Sequence, residues 1–188
     1  MQRLQRAIKE SKAFIGKSVF LAIDGLGASG KSTLAFHISE ALDSEIIRLD
    51  DISSSVRLSW LPRLKTEILT PISNGATSLT YQPESWWGRK PPPVIGQSVT
   101  PTMVVEGVGS HHPQVRSLWG VTIFIETPPA LCFQRGVARD LATGLPKAEI
   151  ECLWRRWQAA ELAYLEAHDP ARRADFVVDG TAPFDNQL

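Results

Sequence analysis

The run Gly25-Leu26-Gly27-Ala28-Ser29-Gly30-Lys31-Ser32 satisfies the pattern GxxxxGK[ST]. Binding a polyphosphate calls for this combination. Glycines at 25, 27 and 30 let the backbone turn tightly, so that its N–H groups converge on phosphate oxygens. A helix opening at Lys31 adds the partial positive charge of its N-terminus. The Lys31 ammonium then reaches the β- and γ-phosphates of ATP, and the Ser32 hydroxyl becomes a ligand for Mg2+. Gly25, Gly27, Ala28, Ser29, Gly30, Lys31, Ser32 and Thr33 are therefore the candidate nucleotide-binding residues. The plain alternative, a glycine-rich turn that merely starts a helix, fits less well. An apolar strand precedes the motif and a helical pattern follows it, as the phosphate-binding geometry requires.

Two further places carry carboxylates suited to the same chemistry. Asp50 and Asp51 close a short apolar strand. In a parallel sheet, ligands bind beyond the carboxyl ends of the strands. An aspartate there can take the proton of a substrate hydroxyl as it attacks the γ-phosphate. Neighbours on a strand point to opposite faces, so one of the two is expected to face the acceptor. Glu106 ends a third buried strand in Val104-Val105-Glu106-Gly107, where a lone carboxylate can hold Mg2+ through water. The chain contains no NKxD segment for reading guanine and no LSGGQ-like transporter signature.

The elements that must position these groups follow from periodicity. Leu4, Ile8, Ser11 and Ile15 share a face, which predicts a helix over residues 2–15. Strands are predicted at 19–23, 45–49, 102–105, 121–125 and 176–178, and helices at 31–42, 61–69, 128–140 and 147–167. Pro62 suits the first turn of the helix at 61–69. The stripe Ile150, Leu153, Trp154, Trp157 and Leu165 faces a core in the last helix. Strand, loop, helix and strand in alternation predict an α/β fold: a parallel sheet of about five strands flanked by helices. Residues 1–188 read as a single domain, with a small lid near 135–146 and an irregular insertion at 53–101 rich in Pro, Trp and Gly.

Composition narrows the function classes. Among 188 residues, 20 Lys and Arg balance 20 Asp and Glu, which excludes nucleic-acid binding by bulk charge. Trp154-Arg155-Arg156-Trp157 alternates aromatic and basic residues, but its helical spacing fits a packed Trp stripe with a solvated Arg face. Cys132 and Cys152 are too few for a disulfide scaffold and too far apart for a zinc site. No apolar run approaches membrane-spanning length, and the short run after the basic N-terminus leads straight into Asp24. A cytoplasmic protein with no membrane partner is the expectation.

The ordered set of motifs resembles the uridine kinase family of P-loop small-molecule kinases, and with it phosphoribulokinase, pantothenate kinase and nicotinamide riboside kinase. The residues that carry the resemblance begin with Ala22–Thr33 and Arg48-Leu49-Asp50-Asp51. Val104–Ser110, Ile125-Glu126-Thr127-Pro128-Pro129 and Arg135–Asp140 complete the set. It spans about residues 19–180. The resemblance implies a P-loop NTPase fold and an ATP- and Mg2+-dependent kinase acting on a small-molecule hydroxyl acceptor, with a nucleoside such as uridine among the candidates. It assigns Lys31 and Ser32 to ATP and Mg2+, Asp50 to the general base or the metal, and Glu106 to the metal. Arg135 and Arg139 become clamps on the transferring phosphoryl group. Four residues apart, they share one helix face.

The chain departs from the family after the lid, where Thr143-Gly144-Leu145-Pro146 replaces a Gly-Arg pair. Its pyrimidine-reading Tyr and His find no match either. Asp51, Tyr81, Trp86 and His111 are the candidate acceptor contacts instead, with Trp60, Trp87, Arg89 and Arg116 nearby in sequence. The loop Gly180–Pro183 after the last strand is expected to hold adenine, by analogy of fold. Two other readings stay open at this level: a nucleotide-binding regulatory protein without catalysis, and a nucleotide hydrolase.

Overall fold

A computed structural model describes residues 1–53, 59–84, 92–184 and 187–188. Helix α1 (Gln2–Glu10) leads to strand β1 (Val19–Gly25), whose seven residues are all buried. The phosphate-loop motif follows, and α2 (Lys31–Leu42) begins at its lysine. β2 (Glu45–Arg48) ends in a 3₁₀ turn over Leu49–Ile52. α3 (Trp60–Arg63) runs through a π-helical turn at Leu64–Leu69 into α4 (Thr70–Ser73). β3 (Ser78–Tyr81) and β4 (Ile95–Ser98) form a separate antiparallel pair. β5 (Thr102–Glu106), β6 (Val121–Glu126), α5 (Pro129–Asp140), α6 (Lys147–His168) and β7 (Phe176–Asp179) complete the order.

Five parallel strands stand in the order β2-β5-β1-β6-β7. The expected α/β architecture is present. β1 sits at the centre because it is apolar on both sides, as a doubly covered strand must be. Phe20 and Ala22 pack on one face against Trp60, Leu64, Ile68 and Ile72 of the helical segment α3–α4. Leu21 and Ile23 pack on the other against Leu4 of α1 and Leu34 and Ile38 of α2. This order places the carboxyl ends of β2, β5 and β1 side by side. Those ends carry Asp50–Asp51, Glu106 and the phosphate loop.

Several expected boundaries move. The first helix stops at Glu10, because Ser11 turns extended and its hydroxyl accepts the Ala13 N–H. Ile15 instead pairs with Ser18. The second strand ends at Arg48, three residues before Asp51. The helix expected to end at Leu69 continues to Ser73. Pro71 lacks an N–H and crowds the turn before it, and the widened π turn directly precedes that strain. The stretch 53–101, expected to be irregular, holds this helical segment and the β3–β4 pair. Trp86, Trp87 and Arg89 lie outside the described residues.

Candidate active site

A cleft of about 1030 Å³ opens at the carboxyl ends of the central strands. Its floor is the loop between β1 and α2. Gly25 and Gly30 have φ of 145° and 111°, conformations that favour glycine. Ala28 adopts φ 58° without that freedom, a local strain of the kind found at ligand-binding loops. Gly27, Ala28, Gly30, Lys31, Ser32 and Thr33 line the cleft. Gly25 and Ser29 shape the loop from below. Ser29 is buried, and its carbonyl accepts the Thr127 hydroxyl at 3.0 Å.

Lys31 folds back over its own loop and donates to the carbonyls of Gly25 (3.1 Å) and Leu26 (2.8 Å). Ser32 donates to Glu106 at 2.9 Å, joining the start of α2 to the end of β5. Burial raises the Glu106 carboxyl above its ordinary range, against the opposing charge of Lys31. A buried carboxylate and a hydroxyl in contact, beside the glycine-rich loop, form a donor set that suits Mg2+. Among the described residues, no cluster of three or more His, Cys, Asp or Glu offers an all-protein metal site.

Asp50 and Asp51 both line the cleft. The strand-based expectation that only one would face the site fails, because they sit in the 3₁₀ turn rather than on the strand. Burial raises the Asp51 carboxyl, Arg48 works against that rise, and Asp50 adds to it. Arg135 and Arg139 reach the cleft from α5. Arg135 donates to the Gly180 carbonyl at 3.0 Å, and Arg139 pairs with Asp140 at 2.8 Å. Gly180, Thr181, Ala182 and Pro183 line the same cleft with Phe184, whose ring abuts Gly30.

Tyr81 and His111 are not brought to the cleft. Tyr81 packs in the core beneath the sheet, and its hydroxyl reaches Gln97 at 3.4 Å. Burial pushes its pKa up to about 12. His111 is buried with Nε2 against the Ala22 carbonyl at 3.2 Å, and burial lowers its pKa. Tyr81 stands out as an aromatic of the insertion and His111 for its place after a strand, but Tyr81 packs into the apolar core and His111 is held by Asp24 and the Ala22 carbonyl. Trp86 lies outside the described residues. Arg116 turns away to the Arg173 carbonyl and Asp175.

Helix α6 supplies groups that the motif reading missed. Glu161 accepts the Gly27 N–H at 2.9 Å. Tyr164 donates to Asp24, which also accepts the N–H groups of Gly25, Gly109 and His111. Trp154 donates from Nε1 to Asp140 at 2.8 Å and covers Gly27. Spacing offered a signal: Trp154, Trp157, Glu161 and Tyr164 recur at three and four residues, one helix face. Asp24 directly follows the predicted strand 19–23, and β1 in fact runs through it to Gly25.

No protein-family model matches the sequence, and no curated protein matches it. Solved structures do share its fold. A possible uridine kinase from Bacillus stearothermophilus aligns over 94% of this chain and 100% of its own, with TM-score 0.62 and 20% identity. A candidate fructose transport system kinase from Silicibacter sp. TM1040 aligns over 88% of this chain and 93% of its own, with TM-score 0.59 and 20% identity. The likeness is one of fold: an α/β arrangement, built in this chain on a five-stranded parallel sheet.

Proposed function

We propose that this chain is an ATP- and Mg2+-dependent kinase that transfers the γ-phosphoryl group to a hydroxyl of a small metabolite, with nucleosides such as uridine among the acceptors. One observation carries the reading. Three adjacent parallel strands end in the phosphate loop, Glu106 and Asp50–Asp51, and all three ends line one cleft. The proteins of like fold described as kinases support it.

Each residue has a role that its position suits. N–H groups of the cleft-lining loop residues Gly27, Ala28 and Gly30 and of the start of α2 hold the phosphates. Lys31 exchanges the Gly25 and Leu26 carbonyls for β- and γ-phosphate oxygens. Ser32 and Glu106 would hold Mg2+, which would supply positive charge to offset that of the phosphates. Asp50 takes the proton of the acceptor hydroxyl as its oxygen bonds to the γ-phosphorus and the bond to the β-phosphate oxygen breaks. Asp51, beside it, hydrogen-bonds the acceptor. Arg135 and Arg139, on the segment 135–146 that acts as the lid, stabilise charge on the transferring group without solvent reorganisation. Arg139 must release Asp140 to do so. The Gly180–Pro183 loop receives the adenine.

A coupled assay of ADP release with Mg2+ and ATP, run over nucleosides, ribosides, sugars and pantothenate, tests the reading. Turnover dependent on one acceptor class supports it. Tight ATP binding with no acceptor-stimulated turnover favours a regulatory nucleotide-binding protein, and turnover without acceptor favours a hydrolase.

A further inference from the structure

Glu161 occupies a place that the proposed function reserves for phosphate. Its Oε2 lies 2.9 Å from the Gly27 nitrogen, one of the loop N–H groups that would face ATP. The fit there is close. A Cβ placed on Gly27 would meet Glu161 Oε1 at 3.0 Å and the Trp154 ring at 3.1 Å. A phosphate oxygen is larger than the space left between that N–H and the carboxylate, and one N–H cannot serve two anions in full.

We propose that the Glu161 carboxylate stands in for phosphate on the Gly27 N–H, so that polyphosphate must displace it, and that Glu161 thereby sets the affinity of the loop for nucleotide. The inference rests on the kinase reading of the loop. Its surroundings agree with it. Lys31 of α2 is the cation facing Glu161, and Asp50 and Asp24 are the anions. A polyphosphate in the loop would add several negative charges to that set, and repulsion would drive the carboxylate away. Burial already raises the Glu161 carboxyl, so its charge is held there at a cost.

Calorimetric titration of the full chain, wild type, E161Q and E161A, with Mg2+–ATP, tripolyphosphate and adenosine tests the proposal. E161Q keeps the shape and removes the charge, so it serves even where E161A folds poorly. Both variants should bind ATP and tripolyphosphate more tightly, by roughly five- to tenfold for removal of one buried competing charge, with no gain for adenosine. Structural damage alone would weaken binding, the opposite sign. Wild type that binds ATP with E161Q equal or weaker overturns the inference and leaves the kinase reading standing. A gain that extends to adenosine overturns it too. Absence of ATP and tripolyphosphate binding in all three proteins overturns the kinase reading and the inference together.

Discussion

Tyr164 donates its hydroxyl to the Asp24 carboxylate at 2.7 Å, fastening α6 to the strand that launches the phosphate loop. Asp24 has no exposed surface. Oδ1 accepts the N–H groups of Gly25 and Gly109, and Oδ2 accepts those of His111 and Tyr164's hydroxyl. One buried carboxylate thus organises the phosphate loop, the turn after β5 and α6.

Replacing that hydroxyl should cost stability in a graded way. Y164F removes one bond to a charged acceptor, a loss of about 1.5–3 kcal/mol. Asp24→Asn should cost more, because either orientation of the amide turns its NH2 against a backbone N–H. Urea unfolding of the two variants checks the order. Equal midpoints would show that the carboxylate does not organise these segments.

Gly136 makes a second tie between helices testable. Its Cα faces the indole of Trp154, and a Cβ there would run into that ring. Trp154 has little freedom to retreat, since Asp140 holds its Nε1 and its ring covers Gly27. G136A should gain about 1 kcal/mol of helix propensity and incur about 1–3 kcal/mol of overpacking. A lower thermal midpoint is expected; a higher one would mean that Trp154 moves aside freely.

Much of this molecule was legible because its signals are local. An apolar strand, a glycine turn and a lysine at fixed spacing identify the loop without tertiary information, and five apolar runs of strand length became the five-stranded sheet. The β3–β4 pair escaped notice because Tyr81 and Ile95 are joined by too long a connection for a tight turn to announce it. Tyr81 and His111 stay away from the cleft for a related reason: neither an aromatic in an irregular stretch nor a histidine after a strand end reveals which way its side chain packs. Glu161 and Tyr164 share the face of Trp154 and Trp157, a stripe that periodicity assigns to the core. Only the approach of α6 to the phosphate loop distinguishes a polar contact there from packing.

The raised Glu161 carboxyl has a consequence for stability against pH. A carboxyl whose folded pKa lies above its unfolded value, here near 4.5, binds its proton more tightly when folded. Through this group, stability falls as pH rises from about 4.5 to the folded value, then levels off. E161Q removes the effect. Its advantage over wild type in urea midpoint, without nucleotide, should therefore grow from pH 4.5 upward and then hold constant. An advantage that shrinks as pH rises would place the Glu161 carboxylate in a stabilising environment instead.

Asp50 and Asp51 invite the sharpest comparison at the site itself. Both line the cleft from the same 3₁₀ turn, and the proposed function gives the proton of the attacking hydroxyl to Asp50. Asp50→Asn keeps the size and hydrogen-bonding reach of the side chain and removes its basicity. The loop, Lys31 and the Ser32–Glu106 pair remain, so ATP affinity should change little. Transfer to the acceptor should fall by roughly 10²–10⁴-fold, the range for loss of a general base. Asp51→Asn should act chiefly on acceptor KM, because that carboxylate is assigned to holding the acceptor rather than its proton. Calorimetry for ATP and coupled ADP release for turnover separate the two effects. Near-normal turnover in D50N together with collapse in D51N would transfer the base role to Asp51.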